Sequence, residues 1–114
     1  MYVFIGCWVM TEKWEALDEQ SRHLRFEEMR RRVEPLLAGG SVKCFGWGLN
    51  MEDIDRPVAA QQKFFCIWTA ESKDGVMAFA KAEREIGWYE FAAQVNYIGE
   101  LMPLDAMSTY LETH

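Results

Sequence analysis

Two ionisable side chains stand where helical spacing turns them into an apolar stripe. Taking about 100° per residue, Arg22 projects into the middle of the stripe formed by Phe26, Met29 and Val33. By the same reckoning Glu83 falls between Val76, Phe79/Ala80 and Ile86 on a later helix. If both helices cover one sheet, the two side chains reach a common cavity, where Arg22 would orient an anionic or carbonyl oxygen and Glu83 would act as a base. The alternative is a structural Arg22–Glu83 ion pair, or side chains that snorkel from the ends of the stripes. His23, at the edge of the first stripe, is the only histidine before the terminal residue. It is a candidate general base or a plain surface histidine.

Aromatic side chains supply the rest of the candidate site. Trp8, Trp47, Trp68 and Tyr97, with Asn96, occupy strand positions and offer flat apolar walls with polar tips. Such walls suit an aromatic or carbonyl-bearing ligand; the bland alternative is that they fill the core or a subunit interface. Cys7, Cys44 and Cys66 lack any CxxC or Cys/His spacing and sit in apolar runs, as reduced thiols of a cytoplasmic protein do. No metal site and no cofactor is expected, because no second histidine and no clustered cysteines stand at ligand spacing.

The elements that must position these residues follow from periodicity. Residues 2–9 are apolar on both alternating faces, as a strand buried on two sides would be. A short turn from Thr11 carries Trp14 and Leu17, and a long helix beginning at Asp18 or Ser21 runs to Leu37 and stops at Gly39-Gly40. Residues 41–49 form a second strand, residues 50–60 with Pro57 the longest loop, and residues 63–69 a third strand. Ser72 caps a second helix ending near Gly87; residues 91–101 make a fourth strand with an irregular start at Trp88-Tyr89, and Pro103 opens a terminal helix. The order β-α-β-β-α-β plus a helix is the split βαβ arrangement, an α+β ferredoxin-like domain with a four-stranded antiparallel sheet, spanning 1–114. Its second sheet face is open yet apolar, so two sheets are expected to pair face to face in a homodimer.

Charge and composition narrow the partners. The net charge of −6 repels polyphosphates, and Arg30-Arg31-Arg32 lies among Glu27, Glu28 and Glu34 as a solvated helix face. A nucleic-acid partner is therefore not expected. The N-terminal apolar run lacks a basic n-region and reads as a strand rather than a signal peptide, and no segment approaches a membrane span.

This pattern resembles the dimeric α+β-barrel superfamily of antibiotic-biosynthesis-type monooxygenases, muconolactone-isomerase-like and stress-responsive barrel proteins. The opening residues 1–8, Gly46-Trp47-Gly48 and the block Gly87-Trp88-Tyr89-Glu90…Gln94-Val95-Asn96…Gly99-Glu100-Leu101 resemble an uncharacterised bacterial family within it. The resemblance implies the fold and dimerisation. The set Trp8, Trp47, Trp68, Tyr97 and Asn96 is similar in type to the residues with which cofactor-free oxygenases of this superfamily hold an activated substrate, and His23 would fit haem ligation seen there. Function stays open between metabolite tailoring by oxygenation, isomerisation or cyclisation and a non-catalytic ligand-binding or structural homodimer.

Overall fold

The computed structural model describes residues 1–51 and 62–114; most of the expected 50–60 loop, with Pro57, lies outside them. β1 (Tyr2–Met10) forms from the N-terminal apolar run, followed by the short α1 (Glu12–Glu15). The long α2 (Glu19–Ala38) starts at Asp18, whose carboxylate accepts the Ser21 N–H at 2.7 Å, and ends at Gly39. Gly40 follows at φ +73°, a left-handed turn that feeds β2 (Val42–Leu49). β3 (Phe64–Ala70) leads to α3 (Lys73–Glu85), where the Ser72 hydroxyl accepts the Gly75 N–H at 3.0 Å. A 3-10 turn at Trp88–Glu90 enters through Gly87 at φ +89°, and it accounts for the irregular start expected before β4 (Ala92–Glu100). Pro103 caps the final α4 (Leu104–Thr113).

The four strands form one antiparallel sheet in the order β2-β3-β1-β4. This is the ferredoxin-like α+β fold, in which α2 and α3 lie over one face of the sheet. The register sets rows across that face: Asn96, Gly6, Cys66 and Trp47 align, as do Ile98, Phe4, Trp68 and Cys44. A register shift between Cys44 and Gly46 bends β2 just before Trp47.

The core is built mainly by α3 on the sheet: Val76, Phe79 and Ala80 pack with Phe4, Trp8, Trp68 and Cys66. The α2 stripe contributes less than its periodicity suggests. Only Val33, Leu36 and Leu37 pack against the core, Phe26 is 44% exposed, and α2 has no buried residue. The reason is that α2 stands over a cavity, so its apolar face lines a space.

Candidate functional site

The space beneath α2 has a volume of about 530 Å3, within the roughly 300–1,000 Å3 typical of small-molecule sites. Met29, Val33 and Leu37 form its roof, Trp47 and Trp68 its floor, and Phe79, Ile86 and Trp88 its sides. Against this apolar lining stand few polar groups: Glu83 and Gln94 inside, Arg30 and Glu34 on α2, and the thiols of Cys44 and Cys66. The expected cavity between sheet and helices is therefore present, with Glu83, Trp47 and Trp68 among its walls.

Glu83 is the one buried charged residue among the described residues, 7% exposed. Its Oε1 accepts the Tyr89 hydroxyl at 2.6 Å and the Gln94 amide N–H at 2.9 Å. Both bonds fall on Oε1; Oε2 accepts none among the described residues. The Gln94 amide also donates to Asn96 Oδ1 at 2.6 Å, and the Asn96 amide donates to the Tyr89 oxygen at 2.7 Å. Four side chains thus close a ring, and the Trp88 indole N–H joins it by donating to Gln94 Oε1 at 2.7 Å. Burial raises the Glu83 carboxyl above the ordinary carboxylate range, and the two donated bonds only partly oppose it. Tyr89 is pushed well up as well, by burial and by the carboxylate it serves.

The ring depends on a glycine. A Cβ at Gly6 would lie 2.5 Å from Gln94 Nε2 and 3.1 Å from Cys66 Sγ, so the absent side chain makes the space in which the Gln94 amide turns toward Glu83. Cys66 is pushed up to about 11, chiefly by burial, while Trp68 donates its indole N–H to the sulfur at 3.2 Å. A neutral thiol in that position is wall, not nucleophile.

The other expected site residues are distributed differently. Arg22 does not reach Glu83: its Nε donates to the Trp14 carbonyl at 3.2 Å and its Nη2 to the Glu15 carbonyl at 3.0 Å, with the Glu15 carboxylate 3.7 Å away. It sits in the first turn of α2, where the carbonyls at the end of α1 lie much closer than the cavity. His23 is exposed and lies outside the cavity lining. Trp8 is buried beside the chamber, packing edge-on against Trp47 and Trp88. Asn96 supports the ring from behind Gln94. Tyr97 pairs with Ile5 on the opposite sheet face and is 64% exposed, because strand alternation turns it away from Asn96. Gln94, Tyr89 and Trp88, quoted above only as part of a resemblance, and Arg30, read as part of a solvated helix face, also line or support the site. The signal for Gln94 was the polar Gln94/Asn96 alternation in an otherwise apolar strand.

Comparison with known proteins places the fold more firmly than the chemistry. Among curated proteins none matches this sequence. Of solved structures, a double mutant of chlorite dismutase from Candidatus Nitrospira defluvii is similar at TM-score 0.68 and 17% identity, over 93% of this chain and 42% of that one. The chain thus spans less than half the length of that enzyme. An Arabidopsis thaliana protein matches at TM-score 0.64 and 11% identity, over 91% of this chain and 98% of that one. A Bacteroides fragilis protein of unknown function, described as dimeric and ferredoxin-like, matches at TM-score 0.53 and 15% identity over 88% and 95%. At such identities the likeness is one of fold. The chain belongs to DUF6616, a family of unknown function whose model matches residues 1–113.

Proposed function

We propose that this chain is a small-molecule enzyme that removes a proton from a flat, mostly apolar, carbonyl-bearing substrate held between the sheet and the helices, with Glu83 as the acceptor. The observation that carries this reading is a buried carboxylate on an apolar chamber, with both incoming hydrogen bonds on one oxygen. Burial raises its basicity above that of an exposed carboxylate, and Oε2 keeps its lone pairs for an incoming proton. Proton removal beside a carbonyl is the step that isomerisation, cyclisation and cofactor-free oxygenation share. Trp47 and Trp68 would stack on the substrate, and Arg30, the cation lining the chamber among the described residues, would meet the developing oxyanion or a substrate carboxylate. The reading calls for no cofactor, metal, nucleic acid or membrane; among the described residues no helix is long and apolar enough to cross one. Free thiols suit a cytoplasmic setting for this single 1–114 domain.

The same reading includes a homodimer. Ile5, Cys7, Phe65, Ile67, Val95 and Tyr97 alternate onto the face away from the helices, and the fold neighbour from Bacteroides fragilis is described as dimeric. Tryptophan emission tests the binding step: titration with aryl ketones and aromatic acids should quench it saturably through Trp47 and Trp68. Emission unchanged by the whole panel up to millimolar concentration would remove the small-molecule reading.

A further inference from the structure

The hydrogen-bond ring around Glu83 has a direction, and Trp88 anchors it at the Gln94 oxygen. An indole nitrogen can only donate, so the group facing Trp88 Nε1 at 2.7 Å must be the Gln94 carbonyl oxygen. That fixes the Gln94 NH2 toward Glu83 Oε1 and Asn96 Oδ1. The Asn96 oxygen being engaged, its NH2 must face the Tyr89 oxygen, and the Tyr89 hydroxyl proton is left to point at Glu83. Without the indole N–H the Gln94 oxygen loses its donor and the amide is held from its NH2 side alone, so its bond to Glu83 Oε1 weakens.

We propose that Trp88 is a positioning residue: through Gln94 it anchors the direction of the hydrogen bonds in the ring, so that two donors converge on Glu83 Oε1 and the carboxylate is held ready to accept a proton. This rests on the reading of Glu83 as proton acceptor and adds the group that keeps it in that state. The charged and titratable groups around Glu83 are Tyr89 from the 3-10 turn, Cys66 from β3, Cys44 from β2, Arg30 and Glu34 across the chamber, and Arg84 beside it on α3. None of them touches Trp88 Nε1, so the hydrogen bond of the indole acts on Glu83 through Gln94, and the Gln94→Leu background separates that from any change in burial.

The test needs no substrate. In protein carrying 13C-labelled glutamate, the Glu83 carboxyl resonance is followed against pH. Trp88→Phe should raise its midpoint by about one pH unit, a tenfold change in protonation constant. In a Gln94→Leu background the same replacement should add nothing, because the link has been cut. An unchanged midpoint in Trp88→Phe, or equal shifts in both backgrounds, overturns the proposal. Should Trp88→Phe fail to fold, the unaltered protein decides: its Trp88 indole 1H–15N signal should inflect at the Glu83 midpoint, and an indole signal flat through that midpoint overturns it. Ligand binding is read separately by fluorescence, so failure here leaves the chamber reading standing, and failure there leaves this one.

Discussion

Glu83 carries a cost that its environment only partly offsets. Its folded-state pKa is raised, so the folded protein holds that proton more tightly than the unfolded chain does. Below the ordinary carboxylate range both states are protonated and the penalty is absent; as pH rises through the folded value, stability is lost. Thermal melts across this window should show Glu83→Gln gaining on the parent protein as pH rises, whereas a constant difference between the two would contradict the burial of an ionised carboxylate. Gly6→Ala should press the new methyl into the Gln94 amide and cost about 1–3 kcal/mol in urea unfolding, as overpacking does. A neutral outcome would mean that Gln94 has other room. Glu83 was legible because α3 is strongly amphipathic and a carboxylate in its apolar stripe stands out. Arg22 misled, because helical angle gives direction but not reach, and the nearer α1 carbonyls took its donors. Trp88 and Tyr89 were legible as an irregular entry to a strand; the Tyr89 hydroxyl reaches Glu83 and the Trp88 indole reaches Gln94 through the 3-10 turn, which no periodicity reports.

At the scale of elements, the cavity exists because α2 and α3 are held differently. The Phe79 ring packs tilted against Trp68 and edge-on to Phe4, which locks α3 to the sheet. The first half of α2 has no such anchor, with Leu24 59% exposed; further along, Arg30 pairs with Glu27 at the chamber's edge, and Arg32 pairs with Glu28 and donates to the Ile86 carbonyl at the end of α3. That half is held by the Asp18 cap and by the hydrogen bonds of Arg22 to α1. Asp18→Ala should therefore speed amide exchange in the first turns of α2 and cost about 1 kcal/mol, leaving protection in β1 and β3 unchanged. Equal loss of protection in the sheet would show that α2 is more tightly integrated than its packing indicates. The Ser72 cap, the Gly39-Gly40 stop and all four strands were legible from turn residues and alternation, while the start of α2, open between Asp18 and Ser21, falls at Asp18. The standoff of α2 was not, because an apolar stripe looks the same whether it fills a core or lines a chamber.

The whole molecule has one covered sheet face and one open face. Across the open face the register aligns Tyr97, Ile5 and Ile67, and beside them Val95, Cys7, Phe65 and Gly48, where the Phe65 ring occupies the place a side chain at position 48 would take. With a net charge of −6 per chain, two copies repel at long range, and an apolar face is what can bring them together. Light scattering should report twice the protomer mass, and Tyr97→Glu should reduce it to one protomer with an unchanged circular dichroism spectrum; a parent protein that is already monomeric would refute the pairing. The chamber and the ring around Glu83 are what the proposed proton removal rests on. Its most direct test is deuterium exchange into an aryl ketone bound in the chamber, followed by NMR in D2O. The unaltered protein should accelerate exchange at the carbon beside the carbonyl, and Glu83→Gln should bind the same ketone yet lose that acceleration by about a hundredfold or more. Equal exchange with both proteins, at matched occupancy of the chamber, would contradict it.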